Sequence, residues 1–212
     1  MVRRVQWFWL FGVVTFLAST DSIVFRSEWL GARSSAGLAQ AQQTDLESKK
    51  IVPFVPTPQD VVERMLEMAQ VKKGDVVYDL GSGDGRIVIT AAKKYGVKAV
   101  GFEIDPDLIK QSRESIRKEG LGHLAEIREQ DILTVDLGAA SVVTMYLLPE
   151  VNLRLRPNVW NQLKPGSRVV SHDFDMGDWK AVKTEAVKDK SGWDHTLYLW
   201  VIGDRDKQRD MR

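Results

Sequence analysis

Asp79-Leu80-Gly81-Ser82-Gly83-Asp84-Gly85-Arg86 is the stretch on which the fold of this chain turns. It follows the apolar run Asp75-Val76-Val77-Tyr78 and precedes the amphipathic Ile87-Val88-Ile89-Thr90-Ala91-Ala92. The order is therefore strand, glycine turn, helix. Three glycines at alternate positions let the backbone approach a ligand closely, since no Cβ intervenes. The helix N-terminus that follows offers unpaired N–H groups to the same ligand. A loop of this kind serves a nucleotide-like molecule.

Spacing narrows the ligand. The dinucleotide pattern G-x-G-x-x-G needs a third Gly at Arg86 when counted from Gly81, or at Val88 when counted from Gly83, and fails in both registers. No Gly-Lys-Ser/Thr follows, which excludes a P-loop. Asp79, at the strand end, would repel a pyrophosphate and attract a cation. S-adenosylmethionine carries an ammonium and a sulfonium and no phosphate, so it suits the loop better than NAD.

Two more acids recur at strand ends. Lys98-Ala99-Val100-Gly101-Phe102-Glu103 reads as a second strand, and a carboxylate at its end can accept from both ribose hydroxyls. Ala125 to Asp131 reads as a third strand, with Asp131 placed to accept from an adenine amino group. One such acid alone would read as a solvated loop residue. Three ending successive strands, the first beside the glycine loop, point to a cofactor site. The expected cofactor-binding set is Asp79, Gly81, Ser82, Gly83, Gly85, Glu103 and Asp131.

Asp79 to Arg86, Gly101-Phe102-Glu103-Ile104-Asp105 and Gln130-Asp131 resemble the successive cofactor motifs of class I S-adenosylmethionine-dependent methyltransferases. Val52-Pro53-Phe54-Val55-Pro56-Thr57-Pro58 and Val143-Thr144-Met145-Tyr146-Leu147-Leu148-Pro149 narrow the resemblance. They are similar to the family containing the mitochondrial lysine methyltransferases of the adenine nucleotide translocase and of the ATP synthase c-subunit, with its bacterial relatives. The resemblance covers about residues 51–180. It implies a Rossmann-like α/β fold, S-adenosyl-L-methionine as methyl donor, and a protein lysine as acceptor. The alternatives are a small-molecule O- or N-methyltransferase and a non-catalytic cofactor-binding module.

The remaining pattern fits an α/β core. Thr57-Pro58-Gln59-Asp60 opens a helix, with Thr57 expected to cap it. Asp105-Pro106 opens another, stopped by Gly120. Ala139 to Leu148 is an apolar run of strand length, followed by a helix from Pro149 to about Leu163. Ser167 to Ser171 makes a fifth strand, and Lys183–Val187 and Trp193–Ile202 supply a late antiparallel pair. Alternating strands and helices mean a mostly parallel, seven-stranded sheet covered by helices on both faces. Ligands bind at the carboxyl ends of such strands. Tyr146 should thus face the transferable methyl as a wall or hydrogen-bond partner. Ser171-His172-Asp173-Phe174-Asp175 should border the acceptor; His172, Asp173 and Asp175 read as a general-base cluster, with Asp173 the candidate base, or as metal ligands, the less favoured alternative. Spacing alone cannot show a metal site, polar residues at a strand–loop junction are the preferred reading, and no metal is expected; His123 and His195 read as surface or packing residues.

The 212 residues suffice for one substantial core. A formal net charge of +1 implies no global pull toward nucleic acid or anionic membrane. No Cys is present, which rules out a disulfide framework and a thiol nucleophile. The fourth-strand segment lacks the Asn/Asp-Pro-Pro-Tyr/Phe of base amino-methyltransferases, and no basic patch is evident, so nucleic acid is disfavoured as substrate.

Three regions are expected. Residues 1–20 hold a basic start and an apolar stretch, residues 5–18, of signal or anchor type. Residues 21–50 are a polar linker and residues 51–205 the methyltransferase domain. The apolar stretch suggests membrane association; export after cleavage is the alternative, and it conflicts with a donor made in the cytosol.

Overall fold

The computed structural model describes residues 54–203. The expected signal or anchor segment, the linker, and Val52 and Pro53 lie outside the described residues. Strands β1 (Val76–Leu80), β2 (Lys98–Glu103), β3 (Ala125–Glu129), β4 (Val142–Met145), β5 (Arg168–His172), β6 (Lys183–Lys188) and β7 (Asp194–Val201) form one sheet. Their order is β3-β2-β1-β4-β5-β7-β6. The first five are parallel, and β7 runs antiparallel between β5 and β6. Chain order reverses between β1 and β4, and that switch point opens a crevice beyond the strand ends.

Helices α1 (Gln59–Met68), α2 (Arg86–Tyr95), α3 (Pro106–Lys118) and α4 (Pro149–Gln162) cover the sheet. Period-2 alternation in the strands sorts side chains onto two faces. Val77, Ala99, Ile127 and Val142 pack against Val61, Met65, Val88, Ile109 and Ile116 of α1–α3. Tyr78, Leu80, Phe102, Val143 and Val169 pack against Val151, Leu155 and Val159 of α4, with Trp160, Trp179 and Trp200 behind them. Trp200 is 1 % exposed, and its indole N–H donates to the Trp179 carbonyl at 2.8 Å. Among the described residues no helix is long and apolar enough to cross a membrane.

Several boundaries differ from the sequence expectation. β3 stops at Glu129, and Asp131 instead caps a 3-10 turn, Ile132–Thr134, by accepting from the Leu133 N–H at 2.9 Å. β4 stops at Met145, because Pro149 opens α4 and the chain must turn before it; Tyr146, Leu147 and Leu148 form the connection. Thr57 does not cap α1. The capping position is Pro58, and the Thr57 hydroxyl lies 3.0 Å from His172 Nδ1. A long-range partner has displaced the local one.

Candidate active site

The crevice holds a cavity of about 550 Å³ beyond the ends of β1, β2 and β4. Its floor is the glycine loop. The N–H groups of Gly81 and Ser82 both donate to the Phe102 carbonyl at 3.0 Å, which fastens the loop to the end of β2. Gly85 stands at the N-terminus of α2. Gly83 has φ +54, and a Cβ there would lie 2.3 Å from the Phe54 ring, so only glycine lets Phe54 fold over the loop. Residues 54–57 thus form a strap over the loop, and Arg86 fixes that strap too. It pairs with Asp84 at 2.6 Å and donates to the Thr57 carbonyl at 2.7 Å.

Gly101 has a packing role that the motif spacing did not reveal. A Cβ there would stand 2.5 Å from Ser82 Oγ and 2.7 Å from Ile127. The second strand must therefore be bare where the loop crosses it. A glycine inside a β-run was the available signal.

Three carboxylates line the cavity as expected. Glu103 is held in place: Oε2 accepts from the Gly83 N–H at 2.8 Å, and Oε1 from the N–H groups of Ile104 and Asp105 at 2.8 and 3.0 Å. Asp131 lies on the far side of the crevice, with one oxygen spent on its own turn. Asp79 is only 2 % exposed. Its one hydrogen bond to a described side chain comes from the Thr144 hydroxyl at 2.7 Å. Burial pushes its carboxyl up to about 7, the Thr144 bond pulls the other way, and the charges of Glu103 and Asp84 add to the rise. Ser82 Oγ is buried with no hydrogen-bond partner among the described residues.

These two features test the fit of S-adenosylmethionine. A buried carboxyl raised to about 7 is held as the anion when a cation faces it, and the ligand's amino-acid end has one. A buried hydroxyl without a partner needs a polar ligand atom. The residues present fit the donor.

Tyr146 lines the cavity, and its ring packs against His172 at 4.0 Å between centroids and against Phe174 at 6.1 Å. Burial, with the neighbouring Asp173 carboxylate, raises its phenol above the ordinary value, so the hydroxyl keeps its proton. Asp173 does not line the cavity; it sits behind Tyr146, with φ +60. His195, expected to be an ordinary packing residue, belongs to the same group: its Nδ1 is 2.9 Å from His172 Nε2. His172 is fully buried, and burial lowers its imidazole to about 4. No sequence signal could join residues 172 and 195, because antiparallel pairing of β5 with β7 brings them together.

A seven-stranded sheet in this order, a glycine loop at the switch point and acids on β1 and β2 define a class I S-adenosylmethionine-dependent methyltransferase. Comparison with known proteins makes the assignment closer. Residues 79–183 match the family described as ANTKMT methyltransferase domain. A protein-lysine N-methyltransferase of Saccharolobus islandicus is 49 % identical over 154 residues, spanning 72 % of this chain and 95 % of that protein. The adenine nucleotide translocase lysine N-methyltransferase of Mus musculus is 34 % identical over 132 residues, which is 62 % of this chain and 57 % of that protein. The chain belongs to this family of methyltransferases. Among solved structures, an RNA methyltransferase from Salinibacter ruber in complex with S-adenosyl-L-homocysteine is 53 % identical, with a TM-score of 0.66, covering 71 % of this chain and 95 % of that one. TrmN from Thermus thermophilus, at 15 % identity and TM-score 0.58, covers 74 % of this chain and 52 % of that one and shares the fold.

Proposed function

We propose that this chain transfers methyl groups from S-adenosylmethionine to a lysine side chain of a protein. The observation that carries the acceptor is the likeness to the Saccharolobus protein-lysine N-methyltransferase along nearly its whole length. The relative described as an RNA methyltransferase favours a second acceptor class. Charge argues against it: Asp79, Asp84, Glu103, Asp105 and Asp131 line the cavity against the single guanidinium of Arg86. A phosphodiester would meet net repulsion there, whereas an ammonium would be drawn in.

In this reading Asp79 receives the donor's ammonium, Glu103 the ribose hydroxyls and Asp131 the adenine amino group, while Gly81, Ser82, Gly83 and Gly85 give the loop its shape. When bound, the donor supplies a methyl carbon already activated by a sulfonium, so the chain need only align and desolvate the acceptor. Phe54, Val55 and Leu148 form an exposed apolar rim at the strap and at the β4–α4 turn. An amine entering between them loses solvent, which favours its neutral form. The Tyr146 hydroxyl, protonated and backed by Asp173, accepts a hydrogen bond from that amine and points its lone pair at the methyl carbon. The chain's residues would thus hold the amine in line with the donor's methyl group, and the proton of the methylated amine would leave to water. We also retain residues 5–18 as a membrane-associating segment that would bring the domain to membrane-embedded acceptors.

The test uses the full chain, methyl-labelled donor and extracts of cells lacking the enzyme, separated into membrane protein, soluble protein, RNA and small molecules. Label on lysine, absent with Asp79→Ala, is the expected result. Label confined to RNA or to small molecules would overturn the lysine reading.

A further inference from the structure

Behind the Tyr146 wall, outside the cavity, two histidines and a carboxylate converge. His172 Nε2 and His195 Nδ1 are 2.9 Å apart. Asp173 Oδ2 lies 3.3 Å from the first and 3.6 Å from the second. A metal ion with bonds of about 2.1 Å separates neighbouring ligands by roughly 3.0 Å in octahedral and 3.4 Å in tetrahedral geometry. The three observed edges bracket those values.

The surroundings hold each donor in place. Asp173 sits in the left-handed region at φ +60, uncommon for any residue but glycine, although aspartate tolerates it better than most. Its conformation is locked by exchange with β7: its N–H donates to the Thr196 carbonyl at 2.7 Å, and its Oδ1 accepts from the Thr196 N–H at 2.8 Å. That leaves Oδ2 for the triangle, beside the hydrogen bond that the carboxylate also makes with the Tyr146 phenol. Each imidazole also has its outer nitrogen on an oxygen. His172 Nδ1 is 3.0 Å from the Thr57 hydroxyl, and His195 Nε2 is 3.4 Å from Asp189 Oδ2. Asp189 is fixed in turn, its Oδ1 accepting from the N–H groups of Ser191 and Trp193 at 2.9 and 2.8 Å. Metal-bound histidines characteristically engage an outer oxygen in this way, which sets the tautomer and leaves the inner nitrogen's lone pair for the ion.

We propose that His172, His195 and Asp173 form a binding site for one divalent transition-metal ion of the zinc type. Two imidazoles and one carboxylate suit zinc and its first-row neighbours; magnesium and calcium prefer oxygen alone. The ion clamps the end of β5 to β7 and, through Thr57, to the strap over the cofactor loop. It braces the Tyr146 wall, since that ring packs on His172. Three protein ligands leave positions for water or for a group of a docked partner. A hydrogen-bonded chain from Thr57 through both imidazoles to Asp189 uses the same contacts without an ion, and it is the outcome to be separated from metal binding.

The experiment is performed on the full chain stripped with a chelator and titrated with zinc against a chromophoric competitor, then with cobalt while recording the visible spectrum. One equivalent of zinc is expected, with cobalt ligand-field bands. Affinity should fall at least about a hundredfold in His195→Gln and in Asp173→Asn. Thr57→Val, which keeps all three ligands, should weaken binding roughly ten- to a hundredfold, and serves if the ligand variants do not fold. Failure of the stripped chain to take up one equivalent, or uptake equal in all variants, overturns the site and leaves the hydrogen-bonded chain. Binding of S-adenosyl-L-homocysteine to the stripped chain is measured in parallel and confirms that it is folded.

Discussion

Asp79, in the role proposed for it, should make cofactor binding sensitive to acid. In the free chain its carboxyl titrates at about 7, chiefly because burial disfavours the anion. In the proposed complex it faces the ammonium of the donor or of S-adenosyl-L-homocysteine and must be ionised. Below its free-state value, binding therefore has to expel a proton, which costs about 1.4 kcal/mol per pH unit. With titration at about 7, the ionised fraction falls from roughly one half at pH 7.0 to about 0.03 at pH 5.5. The Kd for S-adenosyl-L-homocysteine should rise about sixteenfold over that interval, or about 1.6 kcal/mol. Stability of the free chain responds in the opposite sense. A carboxyl raised above its unfolded value, about 3.9, holds more protons folded than unfolded between that value and 7, so this group stabilises the free chain as pH falls through the window. Calorimetry across the interval measures the first effect, which also shrinks the ligand-induced gain in Tm, and the Tm of the free chain follows the second. Asp79→Asn should bind at least about tenfold more weakly at pH 7 and lose this pH response. A Kd for the natural chain constant within twofold, or one that tightens in acid, would refute the placement of a cation on Asp79.

Three further outcomes follow from the geometry. Glu103→Ala removes the acceptor proposed for the ribose and unties Gly83, Ile104 and Asp105 from β2; S-adenosyl-L-homocysteine should bind at least about tenfold more weakly by calorimetry. Gly101→Ala forces a Cβ to 2.5 Å from Ser82 Oγ, so denaturant melts should show a loss of about 1–3 kcal/mol, accompanied by weaker cofactor binding because the loop is displaced. Arg168→Met strands Asp75, whose carboxyl burial raises but which hydrogen bonds from Lys72 N–H, Ser141 and Arg168 hold below the usual range. Stability should drop by about 3 kcal/mol at neutral pH, and the natural chain's own loss of this contribution, as pH falls through the depressed value, should diminish in the variant.

How far the sequence reached follows from the range of each interaction. Strand, glycine loop and helix at residues 75–92 were legible because a continuous apolar run, a Gly at every second position and an amphipathic repeat are local properties. Acids at the ends of β1 and β2 were legible for the same reason. Turn ends were less so: Asp131 and Tyr146 lie just past their strands because proline and 3-10 chemistry end the strands earlier than apolar content suggests. The electrostatic state of Asp79 was beyond the sequence. It depends chiefly on burial, then on Thr144 from β4 and Glu103 from β2, which are far from it in the chain, and only last on the nearby Asp84. Thr57 shows the conflict most plainly. Local propensity makes it a helix cap, while the fold assigns its hydroxyl to a histidine 115 residues away. By itself the sequence determined the class of fold and the methyl donor, and it pointed to acids that the fold brings to one cavity, since these are written in short-range spacing. Only the tertiary structure decided that His172, Asp173 and His195 meet, because antiparallel strand pairing, set by packing of the whole sheet, brings distant residues within bonding distance.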